Sequence, residues 1–166
     1  MIRILLPALA LAALAPASAF AAQDIKVPPF KSIELHGGGN AILHHGDRQR
    51  VVLIKGDPKI AQIEVTGDGR LVLSPCRDWC WGEHTLEVEV TTPSIAAISV
   101  HGGGDAHVRA LAADNVSVEV HGGGDAEVRA ERTLAADVHG GGDVRFWGHP
   151  QVTSSTHGGG SVESGE

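Results

Sequence analysis

The chain has 166 residues, a formal net charge of -7 at pH 7 and no tyrosine. The negative charge argues against nucleic acid and anionic membrane surfaces as partners, because both need a basic footprint. Aromatic residues make up only 4% of the chain, so stacking platforms for sugars or bases are scarce.

Residues 1–22 have the pattern of a signal peptide. Arg3 precedes the apolar run Ile4–Ala15, and the small residues of Ala19–Ala21 fit a cleavage site. The apolar run is too short to span a bilayer comfortably. A retained N-terminal anchor is the alternative. The segment predicts an exported protein, periplasmic or secreted, with no integral membrane span after cleavage and with a single mature domain at 23–166.

The first half of that domain, residues 23–97, predicts a less regular β region. Apolar and alternating segments indicate strands, and Asp57-Pro58, Gly67–Gly69 and Thr92-Pro93 mark the breaks between them. The predicted strands are Ile33–Leu35, Ala41–Leu43, Val51–Lys55, Ile60–Val65, Leu71–Leu73 and Leu86–Val90.

Both cysteines of the chain lie in one segment of this half, Ser74–His84, which predicts a loop. Export would expose Cys76 and Cys80 to an oxidising compartment, so a local disulfide is expected. Metal binding by the two cysteines together with His84 is the alternative. Their spacing matches neither a zinc knuckle nor a thioredoxin-like motif.

The second half, residues 98–166, contains most copies of an internal repeat. Five copies of His-Gly-Gly-Gly-(Asp/Asn/Ser) begin at His36, His101, His121, His139 and His157, and the last four are spaced by 20, 18 and 18 residues. This period fits one coil of a solenoid rather than an independent domain.

The segments on either side of each copy alternate as strands do. Small and β-branched residues recur at every second position in Val116–Val120 and Ala126–Ala130, for example. Leu111–Asp114 and Leu134 are assigned to the turns between rungs. The predicted fold class is an all-β, right-handed parallel β-helix with rungs of about 18–20 residues, because stacked rungs would close one apolar interior.

The repeated motif itself predicts a sharp corner. Glycines can adopt positive φ, and the Asp, Asn or Ser that follows can accept hydrogen bonds from turn amides. Valine at Gly123 or Gly141 is therefore expected to destabilise the stack. The corner residues singled out are Gly103, Gly123, Gly141, Asn40, Asp105, Asp125 and Asp143.

Taken together, these segments resemble the head GIN domain, or putative auto-transporter adhesin, family of bacterial envelope proteins. The resemblance rests on Phe30–Ile33, Val51–Lys55, Gly67–Leu71, Glu87–Pro93 and the repeated Gly-rich corners, and it covers Lys26 to Val162. It implies a parallel β-helix behind an irregular β region, no catalytic residues and an adhesive role. The family's usual corner begins with Ser, whereas histidine stands there in all five copies.

The alternation places these histidines on the outside. Val100 points inward, so His101 points outward, and His121, His139 and His157 follow the same count, with His36 extending the column if its strand lies beside that of His101. A solvated polar column is one interpretation. A site for Zn, Cu or Ni is the other, since imidazole binds all three metals. A surface that responds to pH is a further alternative.

Two other functions have less support from the sequence. Calcium binding of the nonapeptide-repeat type would need Asp where His107 and Glu127 stand. A polysaccharide-acting enzyme would need a cleft of convergent acids or bases, and no such motif is evident. The sequence therefore predicts a non-enzymatic binding module that requires no cofactor and binds an envelope or extracellular ligand of unknown identity. A periplasmic metal-binding protein is the alternative, and a polysaccharide-binding or polysaccharide-acting protein is the third.

Overall fold

The computed structural model describes residues 22–77 and 84–165, and within these ranges its regular structure consists of β-strands. The described residues form thirteen strands in one sheet. They are β1 (Gln23–Ile25), β2 (Ser32–Gly37), β3 (Gly39–His45), β4 (Arg50–Lys55), β5 (Gln62–Val65), β6 (Arg70–Ser74), β7 (Leu86–Thr92), β8 (Ala97–Gly102), β9 (Asp105–Gly122), β10 (Ala126–Gly140), β11 (Val144–Trp147), β12 (Gln151–Gly158) and β13 (Val162–Ser164).

The sheet is mixed and nearly closes into a barrel, so the prediction of a regular right-handed parallel β-helix is wrong. Three pairs of the described strands are antiparallel, namely β1 with β4, β4 with β7 and β5 with β6. The remaining pairs are parallel. The parallel strands are in register at the repeats, where β8, β9 and β10 align their glycine corners.

Two long strands explain why the sheet curls instead of forming separate rungs. Strand β9 has 18 residues and β10 has 15. Leu111–Asp114, assigned from the sequence to a turn, lies inside β9, and Leu134 lies inside β10. The pairing of β9 with β10 shifts register after Val128 and again after Ala130. Such bulges bend and twist a strand without ending it, so one strand can pair on both sides of the bend.

The interior is filled by the small and branched side chains that alternate along these strands. Val100, Val120 and Val138 occupy equivalent positions on β8, β9 and β10, and all three are fully buried. They belong to one continuous apolar cluster that also includes the strands of the first half. The alternation visible in the sequence therefore assigns the inner and outer faces correctly.

The glycine corners connect the strands, and each glycine of a corner has a different environment. At the corner 122–124, Gly122 has a φ of 128°. A Cβ on Gly124 would lie far inside van der Waals contact of the Gly104 carbonyl oxygen on the neighbouring corner. A Cβ on the middle residue, Gly123, would meet no atom within 4 Å.

This pattern corrects the expectation for the middle glycines. Gly103, Gly123 and Gly141 are not among the glycines with positive φ, and each has open space where a Cβ would be. The backbone conformation and the close approach therefore constrain the first and third glycines. The backbone amides of Gly123 and Gly124 both donate to the Gly102 carbonyl at 2.9 Å, which holds neighbouring corners together.

The polar residue that ends each of the first four corners caps the next corner. The Asp105 carboxylate accepts the amide of Asp125 at 3.0 Å, and the Asp125 carboxylate accepts the amide of Asp143 at 2.9 Å. Asp143 in turn accepts both the amide and the hydroxyl of Ser161. Asn40 starts the series with a longer contact of 3.4 Å to the Asp105 amide. These side chains thus accept hydrogen bonds, as expected, but from the next corner.

Residues 1–21, which include nearly all of the predicted signal peptide, lie outside the described ranges. Within those ranges no helix has the length and apolar character needed to cross a membrane.

Candidate functional site

The five repeated histidines form a row across five adjacent strands. Parallel pairing aligns His36 with His101, His101 with His121, His121 with His139 and His139 with His157. Neighbouring imidazole centroids are 4.9–5.0 Å apart, and the planes of neighbouring rings differ by only 2–13°. We call this set of five side chains the histidine row.

The histidine row lies on the outer face of the sheet. Each of its first four members follows a buried residue, as in Val120–His121 and Val138–His139. His121, His139 and His157 are exposed, while His36 and His101 are partly covered. The side chain of Glu34 lies against both of these partly covered rings. Strand alternation is sufficient to bring the five imidazoles to the same face.

A second row runs beside the first, two residues earlier on each strand. It consists of Glu34, Ser99, Glu119, Asp137 and Ser155, which are also aligned in register. We call it the acidic row. Residues two apart on a strand point to the same face, so carboxylates and hydroxyls lie next to imidazoles along the whole site. The sequence shows this spacing, although it does not show which side chains contact each other.

Glu34 is the most connected member of the acidic row. Its Oε1 lies 2.6 Å from His36 Nε2 and 3.8 Å from His101 Nε2, and its Oε2 accepts a hydrogen bond from Arg70. Burial acts to raise the pKa of Glu34, but the hydrogen bonds and charges of Arg70 and His36 outweigh it and lower the pKa. Glu34 is therefore ionised at neutral pH and fixes one end of the histidine row.

The neighbouring residues hold Arg70 in place. Asp68 accepts hydrogen bonds from the Thr66 hydroxyl and from Arg70, and these lower the pKa of Asp68 to about 2.

A polar depression of about 300 Å³ lies beside Arg70, with Arg70, Ser99, Ser117 and Glu119 in its wall. This depression opens beside the acidic row and extends the polar surface.

The row makes protonation of its second histidine unfavourable. Burial and the charges of His36 and His121 lower the pKa of His101, and together they outweigh Glu34 and Glu119, which raise it. The folded protein thus takes up a proton on His101 at lower pH than the unfolded chain does. As the pH falls below 6.5, the ordinary value, protonation of His101 favours the unfolded chain.

The arrangement of the rings bears on metal binding. Imidazole lone pairs lie in the ring plane, and the ring planes of the row are nearly parallel, so neighbouring nitrogens do not point at a common centre. Zn–N bonds are about 2.0–2.1 Å long, too short for one ion to link two parallel rings whose centroids are 4.9–5.0 Å apart. Within 22–77 and 84–165, no three His, Cys, Asp or Glu side chains are placed to hold a metal. The exposed rings would have to rotate before they could bind one.

The predicted disulfide falls partly outside the described residues. Cys76 is described, whereas Cys80 belongs to residues 78–83, which are not. The bridge between Cys76 and Cys80 therefore stays a prediction, as does the alternative metal site with His84.

The fold and the outer face define the class of protein. It is an all-β protein in which a curled mixed sheet displays a repeated polar pattern across adjacent strands. A family model described as putative auto-transporter adhesin, head GIN domain, matches residues 29–110 and 96–150. The chain belongs to this family, as the resemblance in the sequence predicted. The family indicates an adhesin-like protein of the cell envelope or surface that binds an external ligand.

Solved structures similar to this chain include three bacterial proteins. A putative adhesin from Bacteroides fragilis is 18% identical, with 92% of this chain and 100% of that chain covered and a TM-score of 0.48. A putative cell adhesion protein from Clostridium sporogenes is 12% identical, with coverages of 86% and 98% and a TM-score of 0.44. A putative lipid binding protein from Parabacteroides distasonis is 13% identical, with coverages of 87% and 96% and a TM-score of 0.40. No curated protein matches the chain.

Proposed function

We propose that the protein is an exported, non-catalytic binding module of the cell envelope that binds its ligand on the histidine and acidic rows. The observation that carries the proposal is the alignment of five imidazoles, 4.9–5.0 Å apart, beside a parallel row of carboxylates and hydroxyls. A ligand lying across the strands would meet an imidazole beside a carboxylate or a hydroxyl at each strand. Many weak contacts of this kind add up to useful affinity when they engage together.

The chemistry of the surface supports a polar ligand. The large apolar side chains exposed in the described ranges are Ile60 and Val152, and neither belongs to the two rows. The rows offer imidazole nitrogens, carboxylates and serine hydroxyls, which are hydrogen-bonding groups. The net charge of -7 disfavours a polyanion. A neutral, hydroxyl-rich ligand such as an envelope polysaccharide fits these conditions, and its binding requires no catalytic group.

The test is direct binding to envelope material. Fluorescently labelled protein would be added to whole bacterial cells and to purified neutral polysaccharide, with bound protein measured against concentration. We expect the double variant His121→Ser/His139→Ser to lose at least tenfold in apparent affinity, because it removes two neighbouring contacts of the row. Both residues are exposed, so the variant should fold normally.

The matched control is Asp114→Ser/Arg132→Ser, which changes two exposed residues away from the rows without altering net charge at neutral pH. It should bind like wild type. Equal binding by wild type and the histidine variant would show that the rows are not the binding surface. Release of reducing sugar ends during incubation would contradict the non-catalytic assignment.

Transition-metal binding is a second candidate function of the same rows. The contacts of Glu34 favour metal binding, because its Oε1 lies near both His36 and His101. They show that a carboxylate in the acidic row can reach the imidazole two residues later on its own strand. Arg70 neutralises Glu34. In the described ranges no ion pair holds Glu119 or Asp137, the equivalents beside His121 and His139. Rotation of these two exposed rings would give Zn, Cu or Ni a mixed imidazole and carboxylate site.

For this candidate we expect calorimetric titration to give dissociation constants in the low micromolar range for at least one of Zn, Cu and Ni. Affinity should fall as the pH drops through about 6, because an imidazolium cannot bind a metal. His121→Ser/His139→Ser should weaken binding at least tenfold, and Asp114→Ser/Arg132→Ser should not. Absence of binding by wild type, or equal binding by the histidine variant, would exclude the metal function and leave the binding module untouched.

A further inference from the structure

Strand β12 is an unpaired edge of the sheet. Among the described strands it pairs only with β10, in parallel, so one side of its backbone has no partner there. The edge is eight residues long, Gln151–Gly158. Exposed edges of this length offer a row of amides and carbonyls to which another strand can add.

The inner face of β12 is also uncovered. Val152 aligns with Leu134 of β10, yet Val152 is 38% exposed and Leu134 only 1%. Ser154 and Thr156 are exposed as well, although their partners Ala136 and Val138 are buried. The apolar interior therefore ends at β12 without a covering strand in the described ranges.

Strand β12 also lacks the features that natural proteins use to block an edge. Proteins protect such strands with charged side chains, proline or bulges. Strand β12 contains no Asp, Glu, Lys, Arg or Pro, and it pairs with β10 without a register shift. The chain as a whole carries -7. Two copies would repel over most of their surfaces, whereas two β12 edges can meet without bringing carboxylates together.

We propose that β12 pairs with β12 of a second copy of this chain, antiparallel and about Ser154, to form a two-fold symmetric dimer. In this register Ser154 faces its own equivalent, and Val152 faces Thr156 of the partner subunit. These small inward side chains suit the narrow interior that they would join. The pairing continues the sheet and extends the outer polar face from one copy to the next.

The other edges of the sheet favour a closed dimer over an open fibre. Among the described strands they are β1, β5 and β13, which have three, four and three residues and each pair with one strand only. Head-to-tail addition would have to match the eight residues of β12 with four or fewer. A pairing of β12 with itself matches equal lengths and closes after two copies.

The test is sedimentation velocity of the purified mature protein over a range of concentrations. We expect wild type to associate to a dimer with a dissociation constant in the micromolar range, as small interfaces do. Ser154→Lys should weaken association at least tenfold, because it would bury two facing ammonium groups at the centre of the dimer interface. Thr153→Lys, on the outer face of the same strand, adds the same charge and should change the constant less than twofold.

Both positions are exposed, so each variant should melt within about a degree of wild type, which excludes misfolding as the cause. Hydrogen exchange supplies a second measurement, since the amides of Gln151–Gly158 should gain protection as the concentration rises. A wild type that stays monomeric at the highest concentration would overturn the proposal. A dimer that Ser154→Lys does not weaken, or that both variants weaken equally, would overturn it too.

Discussion

Replacing Gly124 with alanine should destabilise the protein by about 3 kcal/mol, which lowers the melting temperature by roughly 10 °C. The added Cβ would press into the Gly104 carbonyl oxygen and would lie 2.9 Å from Cγ1 of Val100. Both obstacles belong to the buried interior and its backbone, so neither can move aside without opening the pairing between corners. Thermal and chemical denaturation measure the effect.

Gly123→Ala is the matched control, one residue away in the same corner. A Cβ there meets nothing within 4 Å, so we expect a change of less than about 0.5 kcal/mol, as for most exposed positions. Gly122→Ala should resemble Gly124→Ala, because Gly122 has a φ of 128° and its Cβ would lie 2.5 Å from the Gly102 carbonyl oxygen. Equal stability of the Gly123 and Gly124 variants would show that close backbone approach does not limit the corner.

The different roles of these three glycines are not predictable from the sequence. Three identical residues in a motif give no sign of which one carries the positive φ and which one faces the neighbouring backbone. The answer depends on the direction in which the chain leaves β9 and enters β10. The sequence therefore does not distinguish Gly123 and Gly141 from their neighbours, whereas in the structure neither has a positive φ and both have open space where a Cβ would be.

Local strand structure was much easier to predict than closure of the sheet. Alternation depends on the period of two that every strand has, so Val120 was correctly placed inside and His121 outside. The bend within β9 arises from register shifts that the residue types do not predict. Leu111–Asp114 resembles a turn in sequence, yet it continues the strand. The antiparallel strand β1 is three residues long and has no clear pattern.

The candidate site was partly visible in the same way. The same alternation that places His121 and His139 outside also places Glu119 and Asp137, two residues earlier, on the outer face. The role of Glu34 was not predictable, because its contact with Arg70 joins strands whose pairing depends on the global topology. The signal that could have pointed to it is an acidic residue or serine two positions before every repeated histidine.

The aspartates after the glycines should contribute to stability through hydrogen bonds rather than through charge. Asp125 accepts the Asp143 amide at 2.9 Å, and it lies between Asp105 and Asp143 along the same series. Asp125→Ala removes the acceptor, so we expect a loss of about 1–2 kcal/mol, as for a lost charge-assisted hydrogen bond near the surface. Urea denaturation at neutral pH measures it.

Asp125→Asn separates the two contributions. Asparagine keeps the Oδ1 acceptor and removes a negative charge between two others, and asparagine already stands in this series at Asn40. The weaker neutral hydrogen bond and the relieved repulsion oppose each other, so stability should stay within about 0.5 kcal/mol of wild type. Repulsion is screened by salt, so any gain from Asn should shrink as ionic strength rises. If Asn destabilises as much as Ala, the carboxylate charge itself is needed, and the acceptor argument fails.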